Sequence, residues 1–301
     1  MEHIFLLNPA AGNGRTIPRL VPQIRAASAQ TGIPYTLYET RSPGDGASLV
    51  ARCATTRKRY RFYACGGDGT LNEAVRGAIH QKNIEVASIP CGTGNDFVRN
   101  LGGRQRFLDL VSQLRGHAVP VDAIVSHTGE VAINGVNIGL DCNIADGAGA
   151  KKNLPFVSGM FAYLLSIADE LHRPLGQTMA ISTDDGEMQV GKYLLCAIGN
   201  GGYCGSGFHA LPHADVTDGK LDFTAVRTLP RREILSLLPR YYAGTHLSSP
   251  LAKKYIQTKT CRRVHIRTTQ PVRVSFDGEI IRTNSLRLHV APGAVQFCIP
   301  N

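Results

Sequence analysis

Residues 65–73 read Cys65-Gly66-Gly67-Asp68-Gly69-Thr70-Leu71-Asn72-Glu73, with the apolar run Tyr60 to Ala64 before them and Ala74-Val75-Arg76-Gly77-Ala78-Ile79 after. The run predicts a buried strand. Leu71, Ala74, Val75, Ala78 and Ile79 recur at helical spacing, so the stretch predicts strand, glycine turn and helix. Glycines let the backbone turn sharply and approach a ligand, Thr70 is placed to cap the helix, and the N–H groups of its first turn are donors for an anion. An acid sits awkwardly in such a loop, because Asp68 repels a bare phosphate. Two readings stay open: an acid that only caps the helix, or one that meets phosphate through a cation such as Mg²⁺. On the second reading Asp68 touches ligand rather than core, and Asp68→Ala leaves the fold intact.

The flanking sequence repeats the pattern. Ile4 to Leu7 runs into Asn8-Pro9-Ala10-Ala11-Gly12-Asn13-Gly14-Arg15, and Leu20, Val21, Ile24 and Ala27 then predict a helix closed at Gly32. Tyr35 to Glu39 predicts a second strand, and a second helix begins in Asp45 to Cys53. Ile84 to Ile89 predicts a fourth strand, followed by Pro90-Cys91-Gly92-Thr93-Gly94-Asn95-Asp96-Phe97 and a helix through Phe107, Leu110, Val111 and Leu114. Such alternation implies a parallel sheet covered by helices. Loops that follow its strands lie on one edge, where open α/β sheets bind ligands, so three loops rich in Gly, Asn, Asp and Thr converge. They point to a nucleotide or polyphosphate. No Gly-x-x-x-x-Gly-Lys-Ser/Thr occurs, and Gly12-Asn13-Gly14 lacks the third glycine of the dinucleotide fingerprint. A P-loop ATPase and a simple NAD dehydrogenase both lose ground.

After Val119-Pro120-Val121-Asp122 the character changes to short alternating runs separated by Gly, Asp and Asn: Val131 to Ile138, Met179 to Thr183, Tyr193 to Ile198, Leu221 to Val226, Val264 to Arg267 and Val272 to Phe276. Asp185-Gly186 and Asp277-Gly278 are hairpin signals, so this half is mainly antiparallel β. Helices are expected from Phe156 to Leu171 and from Arg231 to Tyr242. Two acidic groups stand out, Asp215, Asp218 and Asp222 around Gly219, and Asp277-Gly278-Glu279; both are also ordinary polar hairpin tips.

The 301 residues suit two domains of about 120–180 residues each. Hydrophobic content of 43% and charged content of 19% are those of a globular chain. The N-terminal apolar run is too short for a signal peptide and no stretch reaches the length of a membrane span, which predicts a cytoplasmic protein. Eight cysteines without a Cys-x-x-Cys pair read as reduced, mostly buried hydrophobes. His209 and His213 are separated by Pro212 and make a weak metal pair. The net charge of +10 favours anionic partners.

With these motifs in hand the chain resembles the diacylglycerol kinase catalytic-domain family, in particular the small bacterial lipid kinases related to sphingosine and ceramide kinases. The motifs are Asn8-Pro9-x-x-Gly12, Gly66 to Glu73, Pro90-x-Gly92-Thr93-Gly94-Asn95-Asp96-Phe97, Gly199-Asn200-Gly201-x-Tyr203-x-Gly205-x-Gly207 with Pro212-x-Ala214, Asp218-Gly219-x-Leu221-Asp222 and Asp277-Gly278-Glu279. The resemblance implies an α/β nucleotide-binding domain over 1–122, like that of NAD kinases and phosphofructokinases. It implies a β-sandwich lipid domain over 123–301, with the extreme C-terminus free to return to the first, and ATP in the cleft between them. By the same resemblance Asn8, Pro9, Ala10, Ala11, Gly12, Thr40, Gly67, Asp68, Gly69, Thr70, Leu71, Asn72, Glu73 and Thr93 contact ATP, with Asn95 and Asp96 completing the wall. Asp218, with main-chain carbonyls near Asp215 and Lys220, is the implied Mg²⁺ site and Asp122 its water-linked partner. Asp277 is the implied general base, with Glu279 beside it. Bacterial relatives often carry Lys after Gly12; here Asn13 follows, so phosphate charge falls to Arg15 or Arg19.

The physical reading agrees with phosphoryl transfer from ATP to a lipid hydroxyl such as that of diacylglycerol, which needs a positioned phosphate, a cation and a carboxylate. The basic surface suits transient, salt-sensitive docking on an anionic membrane, with no nucleic-acid partner, and a homodimer stays open. The alternatives are a kinase of NAD or another soluble alcohol, and a catalytically silent lipid-binding protein.

Overall fold

Along the first 123 residues strands and helices alternate: β1 (Glu2–Leu7), α1 (Thr16–Thr31), β2 (Thr36–Glu39), α2 (Asp45–Ala54), β3 (Tyr60–Gly66), α3 (Asp68–Ala78), β4 (Ile84–Pro90), two 3₁₀ turns (Phe97–Leu101 and Arg104–Leu108), α4 (Leu110–Arg115) and β5 (His117–Ser126). Then follow β6 (Val131–Ala132), β7 (Gly135–Gly139), α5 (Leu140–Lys151), α6 (Gly159–His172), β8 (Gln177–Thr183), β9 (Gln189–Gly199), β10 (Leu221–Arg227), α7 (Arg231–Ala243), α8 (Pro250–Tyr255), β11 (Ile256–Cys261), β12 (Arg263–Phe276) and β13 (Glu279–Ile299). The computed structural model describes residues 1–12, 14–92, 94–151, 159–184 and 186–301. The chain forms two units, Met1–Ala123 with Pro292–Asn301, and Ile124–Ala291.

In the first unit the strands run in the order β2-β1-β3-β4-β13, each neighbouring pair parallel. Every residue of β3 and β4 is buried, as expected of strands covered on both faces. Ile17, Leu20 and Ile24 of α1 join Leu110 and Leu114 of α4 over Phe5, Tyr63 and Ile89. Right-handed crossovers put α3 and its neighbour α2 on the opposite face. The helix expected through Phe107 is broken: its first part is 3₁₀, and Asp109 caps α4 by accepting the N–H groups of Val111 and Ser112. An ion pair is buried between β3 and β4. Arg61 on β3 pairs with Glu85, its register partner on β4, at 2.7 Å, and also donates to the Gln113 and Leu114 carbonyls of α4.

The second unit is mainly antiparallel, with strands in the order β11-β10-β9-β7-β12-β13 and β8 paired with β9 and β12. One core lies among Val136, Ile138, Ile198, Phe223, Val264, Ile266, Val274, Leu286 and Leu288. A second joins α5, α6 and α7 to β9 and β10 through Ile144, Ile167, Leu195, Val226, Ile234 and Leu237. The run Val131 to Ile138 is not one strand. It breaks after Ala132, because the N–H groups of Ile133, Asn134 and Gly135 turn to the Asp277 carboxylate. Helix α5 was not expected, since Leu140 to Lys151 carries two glycines and no apolar period. The first residues of the helix expected at Phe156 lie outside the described residues. No helix among the described residues is long and apolar enough to cross a membrane. The eight cysteines are free thiols, and Cys65, Cys142, Cys196, Cys261 and Cys298 are buried.

Candidate functional site

Strand order 2-1-3-4 places a reversal between β1 and β3, because the chain leaves β1 towards one edge of the sheet and returns across it to build β3 and β4. Ligands of open α/β sheets bind at this crevice beyond the strand ends. The loops after β1 and β3 flank it. Asn8 ties them, its Nδ2 donating to Thr70 Oγ1 at 3.0 Å while its Oδ1 accepts the Ala10 N–H. Pro9, Ala10 and Gly12 are exposed and Ala11 is buried. Thr40 joins from the end of β2, its N–H and hydroxyl both donating to the Leu7 carbonyl. A shallow depression here is lined by Pro9, Glu39, Thr40 and Arg41. Arg15 and Arg19 are exposed on the same loop and the start of α1.

The loop after β4 closes against the loop after β3. Cys91 and Gly92 both donate their N–H to the Gly66 carbonyl, and a Cβ on Gly92 would meet the Gly67 Cα at 2.6 Å, so only glycine permits this approach. Asp68 fastens the pair. Its carboxylate accepts the N–H groups of Asn95 and Asp96, each at 2.8 Å. This adds to the sequence reading, which set Asp68 against ligand rather than protein: the carboxylate braces loop to loop, so its removal is expected to loosen that brace. Thr70 is not the cap. The helix begins at Asp68 with Gly67 in the N-cap position, so Thr70 lies inside the first turn, buried, accepting from Asn8.

Other expected contacts divide sharply. Gly67, Asp68 and Gly69 are partly exposed at the crevice, whereas Leu71 and Asn72 face inward and are buried. The Glu73 carboxylate accepts the N–H groups of Gly44 and Gly46 and so anchors the start of α2. Asn95 and Asp96 are buried, and Asp96 faces Arg99 at 3.3 Å. Thr93 lies outside the described residues. The first turn of α3 has no side-chain cap, and uncapped N–H groups beside a glycine crevice suit an anion. A nucleotide phosphate fits here.

Asp122 is buried in the first unit, where its Oδ1 accepts the Gly293 N–H at 2.7 Å. Asp215, Asp218 and Lys220 belong to the second unit. Asp215 Oδ1 accepts the Thr217 N–H and hydroxyl, Asp218 Oδ1 accepts the Lys220 N–H, and both acids are exposed. Asp222 is held above the usual carboxylate range by burial first and by the Asp218 charge second. Among the described residues no three His, Cys, Asp or Glu side chains are grouped to hold a metal; an ion at this turn would draw on main-chain carbonyls and water for most of its ligands.

Asp277 and Gly278 both have positive φ, 49° and 98°, and form the two-residue turn between β12 and β13. The Asp277 carboxylate accepts three main-chain N–H groups, from Ile133 at 2.7 Å, Asn134 at 3.1 Å and Gly135 at 2.8 Å. Glu279 beside it is exposed. The same unit holds a cavity lined by Leu140, Ile144, Leu195, Phe208, Ile234 and Leu237, with Asp141, Tyr241 and His246 as its few polar groups. The Tyr241 hydroxyl donates to Asp141 Oδ2 at 2.6 Å, and burial pushes Asp141 up to about 6 against that hydrogen bond. None of these was singled out from sequence, because Asp141 and Tyr241 lie 100 positions apart and leave no local pattern.

Comparison with known proteins agrees with this architecture. Residues 2–125 match the diacylglycerol kinase catalytic domain and residues 134–299, just over half of the chain, match the YegS C-terminal NAD kinase beta sandwich-like domain. A diacylglycerol kinase of Staphylococcus carnosus (strain TM300) is 28% identical over 285 residues, covering 91% of this chain and 87% of the relative. A Stenotrophomonas maltophilia (strain K279a) protein named "Probable lipid kinase YegS-like" is 29% identical over 284 residues, covering 89% and 88%. The crystal structure of a diacylglycerol kinase from Bacillus anthracis (strain Sterne) superposes with a TM-score of 0.71 over 100% of this chain and 97% of that one; at 22% identity it speaks to the fold. An α/β unit with its glycine crevice, followed by a β-sandwich-like unit and matched end to end in this order, places the chain in the diacylglycerol kinase catalytic-domain family of YegS-like lipid kinases.

Proposed function

We propose that this kinase transfers the γ-phosphate of ATP, with Mg²⁺, to the hydroxyl of a lipid such as diacylglycerol. One observation carries the choice of acceptor: the apolar cavity of the second unit, whose lining suits an acyl chain and offers a soluble alcohol almost nothing to bond. That speaks against a kinase of NAD. A silent lipid-binding protein would have no need of the braced glycine crevice.

In this reading ATP supplies the phosphoryl group and Mg²⁺ screens its charge. The first turn of α3 and the glycines at 67 and 69 receive the phosphates, with Arg15 or Arg19 adding positive charge. Asp277 takes the proton of the acceptor hydroxyl. Its three main-chain donors keep the carboxylate ionised and fix its orientation. Asp218 would hold an ion at its turn together with main-chain carbonyls, and that ion would steady the turn.

The test is incubation with labelled ATP, Mg²⁺, NAD and a total lipid extract, followed by identification of the labelled product. Label is expected in the organic phase as a phosphorylated lipid. Label on NAD, or none in any lipid under saturating ATP, would refute the reading.

A further inference from the structure

The outward face of β8, β12 and β13 is the opposite side of the strands whose Val264, Ile266, Leu286 and Leu288 fill the core. Side chains alternate along a strand, so the register assigns this face directly. Arg263 stands opposite His289, and His265 opposite Arg287; Arg267 follows on the same side of β12. Across β8, Arg267 aligns with Ala180 and Ala180 with Val190 on β9, which places the exposed Lys192 on this face as well. Val190 is 71% exposed.

Each of these pairs sets an arginine opposite a histidine, so the fixed charges of the face are Arg263, Arg267, Arg287 and Lys192. The closeness of these charges is visible in His265, held below the ordinary imidazole range by burial and by the positive charges of Arg287, Arg267 and His127. The ion pairs among the described residues include neither Arg267, Arg287 nor Lys192. Positive charge gathered on one side of a sheet is complemented by an anionic surface. We propose that this face docks the protein on a bilayer rich in anionic lipid, with Val190, across β8 from Arg267, entering the headgroup layer. The choice of a bilayer rests on the lipid-kinase reading above. It rests also on the face itself, which is a broad sheet surface carrying no Phe or Tyr on which a nucleic-acid base would stack.

The experiment is co-sedimentation of the full-length protein with phosphatidylglycerol and with phosphatidylcholine vesicles, compared with binding to single-stranded RNA. The wild type should partition to phosphatidylglycerol, weakly to phosphatidylcholine, and release as salt is raised. The variant Lys192→Gln/Arg267→Gln/Arg287→Gln should lose roughly a hundredfold in partition at an unchanged melting temperature, each surface cation contributing about fivefold. A second triple variant, Arg25→Gln/Arg57→Gln/Arg76→Gln, removes the same charge from exposed sites of the first unit and should retain most of the binding. Equal losses in the two variants, no vesicle binding by the wild type, or tighter binding to RNA than to vesicles would each overturn the assignment. Phosphorylation of diacylglycerol in detergent micelles, measured in parallel, keeps the two readings apart. If the wild type binds vesicles through this face but phosphorylates no lipid, the kinase acceptor has been misassigned and the docking face stands.

Discussion

Asp277 accepts N–H groups from three consecutive residues, so Asp277→Asn sets an amide against donors that need an acceptor. The substitution should cost about 1–3 kcal/mol of stability. If Asp277 is also the base, phosphorylation of diacylglycerol should fall about 10²- to 10⁴-fold while ATP affinity by calorimetry holds. A lower melting temperature with near-normal turnover would leave the residue as a brace only. His246 offers a test by pH. Burial first, then His209, holds it down to about 4 from 6.5, and neither ring nitrogen has a hydrogen-bond partner. The unfolded chain therefore takes up a proton that the folded state refuses, so the stability it contributes is full above about pH 6.5 and lost as pH falls towards 4. His3, lowered to about 4 chiefly by burial, acts in the same direction. Asp141, raised to about 6, acts oppositely: its contribution is full below about pH 4 and lost as pH rises to 6. Melting temperature should fall between pH 6.5 and 4, with a shallower slope in His246→Leu. Equal slopes in the two proteins would assign the proton uptake elsewhere.

At the scale of elements, the crevice is two loops locked by one carboxylate and one close approach of backbones. Asp68→Ala removes two charge-assisted hydrogen bonds and should lower stability by on the order of 2 kcal/mol together with nucleotide affinity. Gly92→Ala should do the same through the clash with Gly67. Retained ATP affinity in both variants, followed by calorimetry, would detach the crevice from nucleotide binding. The crevice was legible in sequence because strand, glycine turn and helix are each local patterns, and β3, α3 and β4 lie where the apolar runs put them. Its bracing was not. Asp68 reaches partners 27 and 28 positions away, and Asp277 reaches partners 142 to 144 positions away, distances at which no periodicity operates. The same limit applies to β13, whose return to the first unit was open only through the family resemblance. Its pairing with β4 depends on two stretches more than 200 positions apart, Glu85 with Gln296.

At the scale of the molecule, β13 serves both units: Glu279 to Ala291 belongs to the second and Pro292 onward to the first. Phe297 is fully buried, packs edge-on against Phe97 and lies beside Phe107. Phe297→Ala should cost about 3–5 kcal/mol. Hydrogen exchange should show the loss in residues 1–123 and leave the β12–β13 hairpin protected; uniform loss throughout would mean that the two units unfold as one. The returning strand also orders events on the ribosome. Pro292 is made 169 residues after Ala123 (292 − 123), roughly 10 to 30 s later at about 5–20 residues per second. Until then β4 lacks its β13 neighbour and Phe97 and Phe107 lack the Phe297 ring, so the nascent first unit is exposed to strand addition by neighbouring chains and to proteases. A transcript cut short anywhere before this strand yields a chain without a finished first unit, which links possession of a working nucleotide crevice to completion of synthesis.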